Sequence, residues 1–171
     1  MAFTVEDGTG KADANAYCTV EFANEYHKDR GNAAWTGAGS AKQAAIIRAT
    51  TYIESMFTWA TGYRWSSTQR LSWPRAEAED IDGNYYDTDE VPLAVQEATA
   101  ELAVRALSQV LIDDSERIAK REKVGELEVE YEQPGGGSVV SRYPIVEGLL
   151  RHLTSTGGAT GGGGYFSIER G

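Results

Sequence analysis

One dipeptide, Trp73-Pro74, constrains the fold of this chain more than any other feature. Proline has no N–H to donate and pushes the preceding residue toward extended geometry, so a helix cannot continue through this step. Amphipathic helical patterns lie on both sides of it, at Ser40–Trp59 and at Val91–Lys120. We therefore predict that Leu71, Trp73 and Pro74 form a structural connector, an extended segment packed in the groove between two helices.

The spacing of apolar residues around this connector predicts a mainly α fold, a small bundle of three to four helices. Thr19 has the character of an N-cap for a first short helix that ends at Gly31, and Pro144 begins a short last helix. Ser40 and Gln43 have the spacing of a capping box at the start of the second helix. The predicted buried stripes of the second and third helices are Ala45, Ile46, Ala49, Ile53, Met56 and Phe57, and Leu93, Ala94, Ala98, Leu102, Leu107 and Leu111.

After the third helix the pattern changes to strict alternation, with Leu127, Val129 and Tyr131 between glutamates. A period of two is typical of a strand, and the glycine-rich turn that follows predicts a short second arm at Ser138–Tyr143. We expect a β-hairpin or a single protruding strand near 124–143. An isolated ribbon is marginal in water. The ribbon therefore needs packing or additional strands from elsewhere.

The length of 171 residues suits one domain with its own core. We expect a helical body with a β insertion over residues 1–156, and a glycine-rich tether with a tip and extended arm over residues 157–171. An apolar and basic tip on such a tether predicts a docking peptide, and a disordered end is the alternative. The tip residues expected to dock are Tyr165, Phe166, Ile168 and Arg170.

Acidic residues outnumber basic ones by 26 to 16, which gives a net charge of −10. Proteins bind nucleic acids and anionic membranes through clustered lysine and arginine, so this balance argues against both partners. No apolar run has the length of a membrane span, and we expect a protein made in a reducing cytoplasm or in a particle assembled there. The acidic surface is expected to include Asp80, Asp82, Glu126, Glu128 and Glu130.

Catalytic and metal-binding motifs are weak in this sequence. His27 and His152 are the two histidines, and surface or helix-end positions without a special role are the preferred interpretation. Cys18 is the single cysteine, so neither an intrachain disulfide nor a cysteine-based zinc site is possible, and we expect a small apolar filler. The four tryptophans are interpreted as packing residues, because platforms that stack single-stranded bases lie in basic grooves.

The sequence Asp80-Ile-Asp82-Gly-Asn84 has part of the pattern of a calcium loop. Its glycine is at the fourth position rather than the sixth, and Val91 occupies the position of the bidentate glutamate. A polar loop is preferred, and a weak divalent-ion site is the open alternative. We expect no enzyme activity, no cofactor, no catalytic residue and no metal site.

Several segments together resemble the head–tail adaptors of tailed bacteriophages, which are also called head-completion or connector proteins. The most specific segment is Gln69-Arg-Leu-Ser-Trp-Pro-Arg75, and the helical stretches Ala45–Tyr52 and Val91–Ala98 add to it. The resemblance covers most of residues 5–153. Many proteins of this kind carry the label "putative DnaT-like single-stranded DNA-binding protein".

The resemblance implies a helical protein that forms a ring, usually of about twelve copies to match the portal. The ring would lie in the neck of the virion between the portal and the stopper or tail-completion protein. It would extend the DNA channel and complete the head after packaging, following assembly in the host cytoplasm. The expected partners are the portal protein, the stopper or tail protein and further copies of the chain, with no membrane. The C-terminal tip is expected to dock on the portal or on a neighbouring subunit. The strand that carries Leu127, Val129 and Tyr131 is expected to pair between neighbouring subunits or with a strand of the portal.

Double-stranded DNA would pass through such a ring without specific binding, because a channel lined with carboxylates repels it. The alternative function is that of a single-stranded-DNA-binding replication or recombination protein, as the label suggests. Such a protein requires a basic groove and an affinity that depends steeply on salt.

Overall fold

The computed structural model describes residues 2–111, 122–124, 127–129 and 143–155. Within these residues the chain forms a small, mainly helical domain with three short antiparallel strand pairs, which confirms the predicted helical class. The helices are α1 (Val20–Asp29), α2 (Gly39–Met56), α3 (Leu93–Ala106) and α4 (Pro144–Leu150). The strands are β1 (Thr58–Trp59), β2 (Tyr63–Arg64), β3 (Arg75–Ala76), β4 (Glu122–Val124), β5 (Leu127–Val129) and β6 (Thr154–Ser155).

The two first helices begin in different ways. Thr19 caps α1 as predicted, because its hydroxyl accepts a hydrogen bond from the Phe22 N–H at 3.0 Å. α2 begins at Gly39, and the preceding Ala38 has no side chain that caps the helix. The predicted capping box at Ser40 is wrong, because Ser40 already lies inside the helix, beyond the N-cap position.

The core lies mainly between α2 and α3, which pack against each other, with α1 and α4 against α3. The apolar period identified the buried faces of both helices, although Met56 and Leu93 are exposed. These two residues are the last of α2 and the first of α3, and the period marks a face without showing how far a neighbour covers it. The fully covered residues of the two stripes are Ala45, Ile46, Ala49, Ile53, Ala98 and Leu102, and Val95 of α3 is fully covered as well.

Both long helices end earlier than the sequence predicts. Phe57 leaves α2 in extended geometry, with φ −113° and ψ 140°, and β1 follows it and pairs with β6. α3 ends at Ala106, whose carbonyl oxygen accepts a hydrogen bond from the Arg48 guanidinium. The extension to Lys120 is therefore wrong from residue 107 to 111, and residues 112–121 lie outside the described part.

The described residues near 124–143 contain a strand pairing that the sequence did not predict. β4 and β5 are antiparallel, with Glu122 opposite Val129 and Val124 opposite Leu127. Alternation shows that a segment is a strand but does not show its partners, and one partner here lies upstream. The expected second arm at 138–142 lies outside the described residues, as does the C-terminal arm after residue 155.

His27 lies in the last turn of α1, which confirms the helix-end alternative, and it is buried against α3 rather than on the surface. Its Nε2 lies 3.0 Å from the Ala100 carbonyl oxygen, and its Nδ1 lies 3.3 Å from the Asn32 amide nitrogen. The first contact requires a proton on Nε2, so Nδ1 is the acceptor. Burial lowers the pKa of His27.

Cys18 is buried, and burial raises the pKa of its thiol to about 12, so the residue acts as an apolar filler as expected. None of the helices in the described ranges is long and apolar enough to cross a membrane.

Candidate protein-docking surface

The Trp-Pro connector lies in the core. Trp73 is 0% exposed, and its ring is nearly perpendicular to those of Trp59 and Tyr86, with centroids 5.7 Å away in both cases. Such edge-to-face pairs stabilise beyond the area that they bury. Leu71 and Pro74 are also buried, and the Trp73–Pro74 peptide bond is cis. The connector therefore joins the end of α2 to the loop that follows it.

Tyr17 and Glu54 hold the backbone of the connector. The N–H groups of Ser72 and Trp73 donate to the Tyr17 hydroxyl oxygen at 3.1 and 3.2 Å. The Ser72 hydroxyl donates to Glu54 Oε2 at 2.8 Å, and the Tyr17 hydroxyl donates to the same carboxylate. Burial and the charge of Glu54 raise the pKa of Tyr17 well above 10, so the phenol keeps the proton that it donates.

Gln69, the first residue of the specific motif, forms side-chain hydrogen bonds to the backbone of the connector and of the residues next to it. Its amide nitrogen donates to the carbonyl oxygens of Leu71 and Pro74 at 2.8 and 2.9 Å. Its amide oxygen accepts from the Ser66 N–H at 2.7 Å. Glutamine is suited to this position because it offers donors and an acceptor on one side chain.

Arg75, the last residue of the motif, also donates hydrogen bonds to backbone carbonyl oxygens. Its guanidinium donates to the carbonyl oxygens of Thr61 at 2.7 Å, of Gly62 at 2.5 Å and of Ser72 at 3.4 Å. Burial lowers the pKa of Arg75. The positive charge of this residue is thus directed at backbone oxygens rather than at a ligand.

The connector supports a ribbon that exposes two aromatic side chains. β2 and β3 are antiparallel, with Tyr63 opposite Ala76, and the Trp65 N–H extends the ladder by donating to the Pro74 carbonyl at 3.3 Å. Alternate residues of a strand point to the same side, so Tyr63 and Trp65 share one face. They are 56% and 52% exposed. The expected packing role of the tryptophans is therefore wrong for Trp65.

The acidic loop 77–90 adjoins this ribbon and folds back as a tight hairpin through a bridge between Glu79 and Tyr85. Asp80 Oδ1 accepts from the N–H groups of Asp82 and Asn84, each at 2.8 Å. Hydrogen bonds from the side chain and backbone of Asn84 lower the pKa of Asp80, so the carboxylate stays ionised. This carboxylate orders its own loop, and no group of three potential ligands for a metal exists in the described ranges.

Hydrogen bonds join the loop to the ribbon. The Tyr63 hydroxyl donates to Glu77 Oε1 at 3.3 Å, and the Glu79 N–H donates to the Thr61 hydroxyl oxygen at 2.7 Å. We call the ribbon face and the loop together the aromatic–acidic surface. Its exposed apolar or aromatic side chains are Tyr63, Trp65, Ile81 and Tyr85. Its carboxylates are Glu77, Glu79, Asp80, Asp82, Asp87, Asp89 and Glu90.

A shallow cavity of about 200 Å³ lies beside the connector, on the α2 side. Two of its hydroxyl groups bond to their own helix, because Thr51 donates to the Ile47 carbonyl at 2.9 Å and Ser55 donates to the Thr51 carbonyl at 2.7 Å. The Thr50 hydroxyl oxygen accepts from the Tyr17 N–H at 3.3 Å. The Glu54 carboxylate at its edge serves the connector. The groups of this cavity are thus occupied by contacts within the fold.

The predicted site residues fall into three groups in the structure. The connector residues Leu71, Trp73 and Pro74 lie in the core, and Asp80 and Asp82 lie in the acidic loop beside them. Leu127, Glu128 and Val129 form β5, of which the backbone is described. The remaining predicted residues lie outside the described ranges: Glu126, Glu130, Tyr131, Tyr165, Phe166, Ile168 and Arg170.

Sequence reasoning missed Tyr17, Glu54 and the exposed face of Tyr63 and Trp65. Tyr17 lies in the segment before α1, which has no helical pattern, and Glu54 lies on the polar side of the amphipathic pattern of α2. Neither has a local signal that indicates a buried partner. The alternation Tyr63-Arg64-Trp65 before a polar turn was a usable signal for a short strand with aromatic residues on one face.

A family model described as "Putative DnaT-like ssDNA binding protein" matches residues 1–171. Neither a curated protein nor a solved structure matches the chain. The match confirms the label that accompanies the sequence resemblance. It covers the connector, the aromatic–acidic surface and the segments outside the described ranges alike.

Proposed function

This chain belongs to the family described as "Putative DnaT-like ssDNA binding protein", and we propose that its role is that of a head–tail adaptor of a tailed bacteriophage. In this role about twelve copies form a ring between the portal and the stopper or tail protein. The ring extends the DNA channel in the neck of the virion and completes the filled head. The chain makes and breaks no covalent bond, and its task is to bind other protein subunits.

The proposal is supported above all by the charge around the exposed aromatic residues. Tyr63 and Trp65 lie beside a loop with seven carboxylates. A platform that stacks single-stranded bases lies in a positively charged groove, since most of its affinity comes from phosphate contacts. Carboxylates at this position repel phosphates, whereas they attract the lysine and arginine side chains of a protein partner.

Cations elsewhere on the described body are engaged in contacts within the fold. Arg105 pairs with Glu101 at 2.8 Å, and Lys11 pairs with Asp7 at 2.7 Å. Arg30 lies 3.5 Å from the centre of the Tyr26 ring. Pairing of this kind lowers the positive potential that a passing phosphate experiences. The body therefore suits a channel or platform past which DNA moves freely.

Single-stranded-DNA binding is the second candidate, and one observation besides the family description favours it. Arg64 is exposed next to Trp65, and both residue types stack on bases. This pair would have to outweigh the carboxylates of the adjoining loop. The two candidates differ in whether an oligonucleotide binds the full chain at low salt.

Co-sedimentation with a portal tests the adaptor role directly. Portal rings encoded by the same genome are mixed with the full chain, and the pellet is imaged by electron microscopy. We expect the chain to sediment with the portal and to form one additional ring with matching symmetry. A chain that stays in the supernatant, or that binds without forming a ring, would contradict the proposal.

A further inference from the structure

The aromatic–acidic surface carries apolar area that the described residues leave uncovered. Scattered exposed apolar side chains are normal on a protein surface. Here Tyr63, Trp65 and Tyr85 belong to one hydrogen-bonded ribbon and loop, and Ile81 lies at the tip of that loop. A patch of aromatic residues rimmed by charge is typical of a contact surface for protein.

The negative charge of this surface favours a positively charged binding partner. The loop brings seven carboxylates, and Arg64 is the one exposed cation on the β2–β3 ribbon. An occupant that binds here must therefore bring concentrated positive charge. Lysine and arginine also bind favourably over the faces of exposed tyrosine and tryptophan rings.

The chain itself contains one segment with this character. Arg117–Lys123 holds four cations and a single glutamate within seven residues, together with the apolar Ile118. No window of seven residues that avoids this segment contains more than two cations. The last two residues of the segment belong to β4, on the part of the chain that follows α3.

We infer that the aromatic–acidic surface of one copy binds the Arg117–Lys123 segment of a neighbouring copy. The inference rests on the proposed function, because it names the contact between copies in the ring. Two different surfaces that meet in this way form a heterologous contact, and its repetition closes a ring when the rotation allows closure. The contact is electrostatic at its rim, so it weakens as salt is added.

A charge-swap experiment on the full chain tests this contact by sedimentation velocity. Wild type is compared with D82K/D87K, with K120E/R121E and with the chain that carries all four changes. Asp82 and Asp87 are exposed, whereas Asp80 is left intact because it orders the loop. At about 20 mM salt we expect either pair alone to raise the dissociation constant for self-association about tenfold or more. The combined variant should return it to within about threefold of wild type.

The control is E21K/E25K, which changes the net charge as much as D82K/D87K does, at exposed positions on a different element, α1. Circular dichroism checks that every variant is folded. The inference is overturned if wild type stays monomeric at about 100 µM and low salt, where electrostatic contacts are strongest. It is also overturned if the control loses association equally, or if the folded combined variant does not recover it.

The inference and the adaptor role fail in different ways. Recovery of self-association in the combined variant without any binding to portal rings would support the contact between copies and remove the adaptor role. If D82K/D87K and K120E/R121E each still form the same ring on the portal as wild type, the adaptor role is supported and this contact is overturned.

Discussion

Trp73 and Trp65 lie close together in the chain, but Trp73 is fully buried and Trp65 is 52% exposed. Trp73 is fully buried between Trp59 and Tyr86, and its backbone N–H is held by the Tyr17 hydroxyl. Trp65 lies on the outer face of a two-stranded ribbon beside a loop of carboxylates. The comparison shows that the specific Trp-Pro motif is a folding element, whereas the exposed aromatic side chains belong to the less specific residues that it supports.

We expect substitution of Trp73 to lower stability far more than substitution of Trp65 does. Trp73→Ala should lower the free energy of unfolding by about 3–5 kcal/mol, because it leaves a cavity in the core. Trp73→Phe should cost less, since it keeps most of the ring and the indole N–H has no partner among the described residues. Urea denaturation followed by circular dichroism measures both. Equal midpoints for wild type and Trp73→Ala would remove the connector from the core.

The second effect concerns the hydroxyl that holds the connector. Tyr17→Phe leaves the buried Trp73 N–H without its acceptor, so we expect a loss of about 1–3 kcal/mol in the free energy of unfolding. The matched variant is Tyr63→Phe, which removes an exposed hydroxyl at 3.3 Å from Glu77. It should change stability by about 0.5 kcal/mol or less. Similar losses in the two variants would show that burial does not distinguish these tyrosines.

The burial of His27 predicts that stability depends on pH. Burial holds the pKa of His27 below its ordinary value, so the unfolded chain binds this proton more readily than the folded one. The contribution to stability is complete above about pH 6.5 and is lost as the pH falls toward the folded pKa. His27→Gln should reduce the dependence of the free energy of unfolding on pH in this range.

Urea denaturation at several pH values between about 6.5 and 5 measures this slope for wild type and for His27→Gln. An unchanged slope in His27→Gln would show that carboxylates account for the whole dependence.

The smallest expected effect on stability is that of Trp65→Ala, within about 0.5 kcal/mol of wild type. Its effect on assembly should be larger, because aromatic residues at the centre of a contact contribute most of its energy. Self-association at low salt, measured as above, should weaken in this variant while the urea midpoint stays in place. A large loss of stability would place Trp65 in the fold rather than in a contact surface.

The sequence predicted those features that depend on local chemistry. Thr19 caps α1 because a hydroxyl at that position reaches the N–H of Phe22, and Pro144 begins α4 because its ring suits the first turn of a helix. The covered faces of α2 and α3 followed from the spacing of their apolar residues.

The features that were missed depend on contacts between distant parts of the chain. Tyr17 meets Glu54 and Trp73 across the fold, and no local pattern marks such a contact. α2 ends at Met56 because β1 then pairs with β6, at the other end of the described chain. Trp65 is exposed because the connector places its ribbon on the surface, a consequence of packing rather than of residue type.

We propose that the aromatic–acidic surface binds protein and does not bind nucleic acid. A fluorescence anisotropy titration of a labelled single-stranded oligonucleotide with the full chain tests this claim. At about 20 mM salt we expect no saturable binding up to about 100 µM protein, because the loop that adjoins the aromatic ribbon carries seven carboxylates. A micromolar dissociation constant that rises steeply with salt, and binding that disappears in Trp65→Ala, would contradict the claim.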